Sequence, residues 1–192
     1  MSEHDGIIGK IGKREKLENP ARVAELDPAG TLKKVGFRPG QTLYDIGAGS
    51  GLFSLAAAKL GAGTVWAADT DADILAELRS RAASLPNLRT LPVSGCAYPV
   101  ADGSADWVLL VTTLHEIDDK PALFSELRRL LAADGAVCLI EFIKARTPMG
   151  PPPERRLGAE EAEALFVREG FRRETDFLLG DDFYCQIYRP RG

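Results

Sequence analysis

Apolar runs alternate with helical patterns along most of this chain. Short apolar runs are typical of strands, and the longer segments between them are typical of helices. Strands are predicted at residues 42–46, 64–68, 88–93, 107–111 and 136–142. A regular alternation of strands and helices indicates a parallel sheet that is covered on both faces. The sequence therefore predicts an α/β fold with a doubly wound sheet.

Residues that favour helix ends flank the predicted helices. The helices are predicted at residues 52–60, 72–84, 121–131 and 159–169. Asp71 is placed to cap the second helix, Pro121 suits the first turn of the third, and Gly170 ends the fourth. Ahead of the first strand, a further helix is predicted from about residue 20 to residue 35, with a break near residues 28–30.

The last part of the sequence departs from this alternation. Two strand-like runs, FRRETDFLL and DDFYCQIYR, follow the last predicted helix and meet at a Gly-Asp-Asp turn. Strands joined by so short a connection pair antiparallel. The sequence therefore predicts an antiparallel strand pair at this end of the sheet.

The first predicted strand leads directly into a glycine-rich turn. In LYDIGAGSG, Gly47, Gly49 and Gly51 stand at alternate positions, and the helical segment LFSLAAAKL follows. Glycine adopts positive φ at little cost and lets a ligand lie against bare backbone. The next apolar run ends at Asp69, 18 positions after Gly51. A second-strand carboxylate at about this separation reaches a ribose diol in nucleotide-binding units, so the sequence predicts a nucleoside-containing cofactor.

The residue before the turn indicates which cofactor it suits. The dinucleotide pattern G-x-G-x-x-G is only partly met, because Leu52 stands at the third glycine position. The pattern present is D-x-G-x-G-x-G, with Asp45 ahead of the glycines. A carboxylate here would repel a pyrophosphate, whereas it can receive the ammonium of an amino-acid moiety, directly or through water.

With these motifs the sequence resembles the class I S-adenosylmethionine-dependent methyltransferases. Their first motif is written much as DIGAGSG stands here, and their ribose-binding acid matches Asp69. Residues 99–142, with an Asp-Gly-Ser turn, Asp106 and a later Asp-Gly, resemble the region of their fourth and fifth strands. Two further segments resemble those of a compact group related to ubiquinone and menaquinone C-methyltransferases and arsenite methyltransferases. They are LENPARVAELDPAGTLKKVGFRPG near the start and TPMGPPPERR near the end. The resemblance covers about residues 15–190.

The resemblance implies a Rossmann-like, mostly parallel seven-stranded sheet with a C-terminal antiparallel strand pair. It implies S-adenosylmethionine as cofactor and S-adenosylhomocysteine as product. The length of 192 residues favours one domain, with residues 1–38 as an N-terminal helical extension and residues 39–192 as the core. The cofactor-binding residues that it implies are Asp45, Gly47, Ala48, Gly49, Gly51, Asp69, Thr70, Cys96, Ala97 and Thr112.

One position departs from the family pattern. After the third strand many members have Gly-Asp-Ala, whose aspartate accepts a hydrogen bond from the adenine amino group. Here SGCAYP places Cys96 at that position, and a thiol is a poor acceptor. The resemblance then implies that adenine recognition rests on the Ala97 backbone and on packing.

The candidate catalytic residues follow the fourth predicted strand. Ligands in such sheets bind beyond the carboxyl ends of the strands, where Thr112, Thr113, His115 and Glu116 form the most polar group. His115 has a side chain suited to a general base at neutral pH, or else it bonds a backbone carbonyl and shapes the pocket. Glu116 orients an acceptor or is a surface carboxylate.

Other polar residues near the strand ends have open roles. Glu141 ends an apolar strand, so we expect it to be partly buried and to need a partner, for which Arg146 is a candidate. Tyr98 and Tyr184 line the acceptor pocket or are packing residues. Asn19, Pro20 and Arg22 in the leading segment reach the pocket or serve packing.

The composition excludes some classes of binding partner. A net charge of −4 argues against a large electrostatic footprint for nucleic acid. The short basic groups, Lys13 with Arg14 and Lys16, and Arg155 with Arg156, are interpreted as solvated surface. No apolar run approaches the roughly 20 residues of a membrane span, and the first residues lack a signal-peptide core. We therefore expect no membrane insertion and a cytoplasmic location.

The cysteines and histidines predict neither a disulfide nor a metal site. In that compartment the three cysteines favour free thiols, and Cys138 is expected to be a small core residue. Only His4 and His115 are available, and no Cys-x-x-Cys or Cys/His spacing occurs.

Methyl transfer to a small molecule is therefore the favoured function. A module that binds S-adenosylmethionine or S-adenosylhomocysteine without transfer is the alternative, motivated by Cys96. Methylation of a protein or nucleic acid is disfavoured by the acidic balance and by VTTLHE, where amino-methylating enzymes have an Asn-Pro-Pro-Tyr motif. An arsenite acceptor would need converging thiols, which the sequence does not provide. The acceptor atom, and the choice between monomer and homodimer, stay open.

Overall fold

The computed structural model of the chain, which describes residues 14–191, has seven strands in one sheet. In chain order, β1 to β7 are Thr42–Ile46, Thr64–Asp69, Leu88–Pro92, Ala105–Val111, Leu131–Phe142, Phe171–Leu179 and Phe183–Pro190. The sheet order is β3-β2-β1-β4-β5-β7-β6, in which β7 runs antiparallel to both of its neighbours and the other pairs are parallel. The predicted α/β sheet with a C-terminal antiparallel strand pair is confirmed.

The α-helices begin and end close to the predicted positions. In chain order, α1 to α6 are Pro20–Leu26, Pro28–Lys34, Leu52–Lys59, Ala72–Arg81, Lys120–Leu130 and Ala159–Arg168. The Asp71 side chain caps α4 by accepting from the backbone N–H groups of Asp73 and Ile74. The leading helix is broken at Asp27, just ahead of the predicted position, because this residue ends α1 and its side chain caps α2.

Helices cover both faces of the sheet. On one face, α1 to α4 contribute buried residues such as Leu32, Phe53 and Leu75 to a single core. On the other face, α5 and α6 contribute a second core that includes Phe124 and Phe166. Successive strand residues point to opposite faces, so each buried strand supplies both cores. The sheet is therefore covered as the alternating pattern predicts.

Two strands begin earlier in the sequence than predicted. β4 and β5 begin at Ala105 and Leu131, where these two residues pair ahead of a register shift to Trp107 and Ala136. The apolar runs alone mark only the part after this irregularity. The start of the predicted extension, residues 1–13, lies outside the described residues. Within residues 14–191, the helices all lack the length and apolarity required to cross a membrane.

Candidate active site

A cavity of about 1060 Å³ opens at the carboxyl ends of the central strands. Its walls come from the ends of β1, β2, β4 and β5, from the leading segment, and from the loop after β5. The centre of this edge is β1: the chain proceeds from β1 to β2 and β3 on one side and then crosses back to form β4 on the other side. That switch point is where ligands bind in open α/β sheets.

The glycine turn after β1 forms the floor of the cavity. Gly47, Gly49 and Gly51 have φ angles of 71°, 53° and 80°, which side chains rarely adopt. The N–H groups of Gly47 and Ala48 both donate to the Ala68 carbonyl at 2.9 Å, which fixes the turn against β2. A Cβ at Gly47 would overlap the Thr113 side chain. The turn therefore requires bare backbone at this point.

Asp69 joins the glycine turn to the start of α4. Its Oδ2 accepts from the Gly49 N–H at 2.8 Å and its Oδ1 accepts from the Asp71 N–H at 2.9 Å. A carboxylate has about four acceptor positions, so each oxygen can accept a further hydrogen bond from a ligand. The side chain is thus held in a fixed position at the cavity wall.

Asp45 lies beneath the turn and is 2% exposed. Its Oδ2 accepts a hydrogen bond of 2.6 Å from the Ser54 hydroxyl on α3. Burial raises the pKa of Asp45 to about 6, with a smaller contribution from the negative charge of Asp69, while the Ser54 hydrogen bond opposes the shift. Asp45 therefore contributes a buried negative charge to the cavity at neutral pH.

His115 is held by Glu141 and not by a backbone carbonyl. The ring Nδ1 lies 2.8 Å from Glu141 Oε2, and the His115 N–H donates to Glu141 Oε1 at 3.2 Å. Glu141 is 1% exposed. The prediction that Arg146 is its partner was wrong, because the Glu141 side chain contacts His115 in the turn after β4. The hydrogen bond that the ring donates to Glu141 raises the pKa of His115 against the effect of burial. When Nδ1–H donates this hydrogen bond to the Glu141 carboxylate, Nε2 is left as the basic nitrogen.

Glu116 lies on the open side of the histidine. Its Oε1 is 3.8 Å from His115 Nε2, and its side chain is 70% exposed. Both residues line the cavity. This exposure agrees with the interpretation of Glu116 as a surface carboxylate. The negative charge of Glu116 also contributes to the raised pKa of His115.

Thr112 has an unusual backbone conformation. Its φ is 51°, one of two positive values among the non-glycine residues that the structure describes. Its N–H donates to the Ile140 carbonyl at 2.6 Å, and its hydroxyl accepts from Arg22 Nη2 at 2.9 Å. Such strain is typical of functional positions. Thr112 thus links β5 to the leading helix at the cavity wall.

The loop between β5 and α6 is organised by Arg156. Its guanidinium donates to the carbonyl groups of Ile143, Ala145, Met149 and Pro151 at 2.7–3.0 Å. Arg156 is 5% exposed, so its interpretation as solvated surface was wrong. The polar sequence around Arg156 gives no sign that this cation is buried and that loop carbonyl groups accept its hydrogen bonds.

The structure brings most of the predicted site residues together on this cavity. Those that line it are Asp45, Gly47, Ala48, Gly49, Asp69, Thr70, Cys96, Thr112, His115 and Glu116. Gly51 is instead buried against Leu78, and Ala97 is exposed outside the lining. The Cys96 thiol lies 3.7 Å from the Asp119 carbonyl, to which it donates.

The remaining candidates separate into wall and packing residues. Tyr98 lines the cavity, whereas Tyr184 lies outside it and donates to the Leu157 carbonyl at 2.9 Å. In the leading segment Asn19 and Arg22 line the cavity and Pro20 does not. The apolar lining includes Leu17, Phe53, Ile117 and Phe142, which the sequence did not single out, and Pro148, Met149 and Pro151 of the loop after β5. The proline-rich loop was the signal for the last three.

The described residues hold no group of three or more His, Cys, Asp or Glu that could bind a metal ion. The cavity therefore offers hydrogen-bonding groups, a histidine paired with a carboxylate, and apolar walls.

Comparison with known proteins identifies relatives of this architecture. A family model described as a methyltransferase domain matches residues 44–139. The ubiquinone/menaquinone biosynthesis C-methyltransferase of Cupriavidus taiwanensis is 32% identical over 124 residues, which cover 62% of this chain and 50% of that protein. The demethylmenaquinone methyltransferase of Beutenbergia cavernae is 29% identical over 160 residues, covering 81% and 64%. The chain thus spans about half the length of the first relative.

A solved structure shows the same fold. It is a SAM-dependent methyltransferase from Aquifex aeolicus, with a TM-score of 0.86 and 24% identity, covering 92% of this chain and 96% of that one.

Proposed function

The chain belongs to the methyltransferase domain family, whose model matches half of it, and from this premise we propose that it is an S-adenosylmethionine-dependent methyltransferase with a small-molecule acceptor. One observation carries the proposal. The glycine turn and the fixed carboxylate of Asp69 stand side by side at the switch point, on a cavity of about 1060 Å³. That volume has room for a nucleoside cofactor and a small acceptor.

The donors and acceptors in the cavity fit S-adenosylmethionine. Asp69 accepts from the ribose hydroxyls, and the bare backbone from Gly47 to Gly49 lies under the methionine portion. Asp45 supplies the negative charge that the cofactor ammonium requires. We assign Thr70 and Cys96, which also line the cavity, to the ribose and adenine. The product S-adenosylhomocysteine binds in the same way.

The acceptor is a small aromatic molecule with a hydroxyl group. Two relatives are named for ubiquinone, menaquinone or demethylmenaquinone, and the cavity has an apolar wall that includes Phe142, Met149 and Ile117. A planar ring fits this wall, and its hydroxyl group fits the polar side formed by His115. Such an acceptor has the proton that a general base removes.

His115 acts as that base. Its Nε2 takes the hydroxyl proton of the acceptor, and Glu141 stabilises the imidazolium that results. The bound cofactor supplies an electrophilic methyl group on a sulfonium, whose carbon–sulfur electron pair remains on sulfur after transfer. The cavity walls would restrict how an acceptor lies beside the bound cofactor, and such positioning contributes up to about 7–11 kcal/mol.

A binding module without transfer is the second candidate. Cys96 donates to the Asp119 carbonyl, so it does not replace the adenine acceptor that the family pattern provides. Against this candidate is the buried Glu141 that orients His115, because a purely binding site has no need of an oriented base. Activity with a small acceptor separates the two.

The experiment measures binding and transfer on the same variants. Calorimetry with S-adenosylhomocysteine reports on cofactor binding, and methyl transfer is followed from labelled S-adenosylmethionine to 1,4-naphthalenediol as acceptor probe. We expect His115→Ala to lower turnover by about 100-fold or more and to change S-adenosylhomocysteine affinity by less than about threefold. Glu116→Gln, a matched change on the exposed neighbour, is expected to keep most of the turnover.

The outcomes separate the readings. Equal losses of binding and turnover in His115→Ala would assign His115 to the cofactor pocket. Wild-type protein that binds S-adenosylhomocysteine but methylates neither the diol nor other hydroxylated aromatic probes would favour the binding module. Wild-type protein that does not bind S-adenosylhomocysteine would refute the proposed function.

A further inference from the structure

Arg22 is a buried cation on the wall of the cavity. It lies on α1, is 7% exposed, and faces the ends of β4 and β5. Arg156 is equally buried, but four carbonyl groups accept its hydrogen bonds. The two side chains differ in how the protein satisfies them, and the difference bears on what the cavity binds.

The hydrogen bonds of Arg22 are incomplete. A guanidinium has five N–H donors, and the structure gives Arg22 one hydrogen bond, from Nη2 to the Thr112 hydroxyl at 2.9 Å. Its Nε is buried without any partner, the one such side-chain atom within residues 14–191. No carboxylate of the described residues lies within ion-pair distance of it. The charge of Glu141 reaches it only at longer range.

Aromatic rings compensate part of this cost. The guanidinium carbon lies 5.5 Å from the centre of the Phe142 ring and 5.3 Å from that of Phe183. Such contacts stabilise a cation without forming hydrogen bonds. Burial still lowers the pKa of Arg22, because the charged form is poorly solvated there. An apolar side chain of similar length would fill this space at a lower free energy.

We propose that Arg22 is the receptor for a carboxylate group of a ligand in this cavity. The inference rests on the proposed function, since it names a ligand group of the same site. A planar guanidinium with unused donors matches the two oxygens of a carboxylate, which other cations match less well. The carboxylate belongs either to the methionine portion of the cofactor or to the acceptor.

The position of Arg22 is compatible with both sources. Its partner Thr112 directly precedes Thr113, which packs against Gly47 of the turn beneath the methionine portion. Glu141, the partner of His115, is the charge that acts on Arg22 from the acceptor side. Arg22 is therefore connected to the glycine turn through Thr112 and Thr113, and to the proposed base through the charge of Glu141.

The test compares ligands with and without the carboxylate. Wild type, Arg22→Met and Arg22→Lys are titrated with S-adenosylhomocysteine and with its decarboxylated analogue, which keeps the ammonium. Arg89→Met is the matched control, because Arg89 also contacts an aromatic ring, Trp66, but does not line this cavity. Benzoate, titrated in the presence of S-adenosylhomocysteine and followed by NMR, serves as the acceptor-side probe. Circular dichroism and thermal unfolding check that each variant is folded.

If the cofactor is the source, Arg22→Met weakens S-adenosylhomocysteine binding by about 10- to 100-fold and leaves binding of the decarboxylated analogue unchanged. Arg22→Lys then recovers part of the affinity. If the acceptor is the source, S-adenosylhomocysteine affinity is unchanged and benzoate binds wild type but not Arg22→Met. Either result supports the receptor role, and Arg89→Met behaves as wild type in both.

Two results overturn the inference. Equal losses for S-adenosylhomocysteine and the decarboxylated analogue would make Arg22 a packing residue. No dependence of any of these ligands on Arg22 would also exclude the receptor role. Both results leave the proposed function intact, because wild type still binds S-adenosylhomocysteine, whereas loss of that binding in wild type would refute the proposed function itself.

Discussion

Asp45→Asn tests whether the buried charge of Asp45 lowers the unfolding free energy of the ligand-free protein. The carboxyl is 2% exposed, and burial raises its pKa from 3.8 to about 6. A carboxyl whose folded-state pKa is raised favours the folded state when it is protonated, and this advantage is lost as the pH rises from about 4 to about 6. Above pH 6 the ionised Asp45 therefore destabilises the ligand-free protein.

The size of the effect follows from the two pKa values. Their difference corresponds to about 3 kcal/mol of unfolding free energy at pH 8, since one pKa unit is about 1.4 kcal/mol. Asparagine has nearly the same shape, and its Oδ1 can still accept the 2.6 Å hydrogen bond from Ser54. We expect Asp45→Asn to be more stable than wild type by up to about 3 kcal/mol at pH 8 and equally stable near pH 4.

Urea unfolding at both pH values measures this difference. The control is Asp134→Asn, which removes a carboxylate from an exposed position and is expected to change stability little at either pH. The same Asp45→Asn protein should bind S-adenosylhomocysteine about tenfold or more weakly at pH 8, because the ammonium loses its partner. A variant that is less stable than wild type by the same amount at pH 4 and pH 8 would refute the reasoning.

The remaining predictions concern the cofactor side, the base and the loop. Asp69→Ala should weaken S-adenosylhomocysteine binding by about one to two orders of magnitude, since charge-assisted hydrogen bonds contribute about 1.5–3 kcal/mol; calorimetry that finds unchanged affinity would exclude Asp69 as the ribose acceptor. Cys96→Asp should bind S-adenosylhomocysteine at pH 8 as tightly as wild type or more tightly, and a large loss of affinity would reveal a role for the thiol. The turnover of wild type should rise with pH through an apparent pKa above 6.5, because Glu141 raises the pKa of His115; a profile that stays the same in His115→Ala would assign the titration to another group. Arg156→Met should destabilise the protein by about 3 kcal/mol, because four loop carbonyls lose their donor; limited proteolysis should then cleave residues 143–151 faster, and an unchanged cleavage rate would count against its organising role.

Local patterns were sufficient to predict the sheet and the glycine turn. The run that forms β1 was predicted to the residue, because a short apolar segment ends at glycines whose positive φ stops the strand. The antiparallel pair of β6 and β7 followed from the length of one turn. Cap residues such as Asp71 determine where helices begin, because their side chains accept hydrogen bonds from backbone N–H groups nearby in the sequence. Features fixed by near neighbours in the sequence were therefore predictable.

Contacts between distant residues were not predictable in the same way. Burial of Glu141 was expected, but its partner is His115, 26 positions away on another loop. Arg156 looks like any exposed arginine until the loop folds around its guanidinium. The starts of β4 and β5 depend on an irregular register between two strands, which the apolar runs do not mark. In each case the three-dimensional approach of two segments decides the outcome.

The place of β7 in the sheet constrains the order in which the chain can fold. β7 lies between β5 and β6, although both precede it in the sequence. Until residues 183–190 have been synthesised, β6 lacks its strand partner and residues 137–142 of β5 form an open, apolar edge. Such edges pair with other chains when they are left free. A nascent chain that stalls before β7 would therefore have most of its sheet and an aggregation-prone edge on β5. That edge is covered only when β7 leaves the ribosome and pairs with β5.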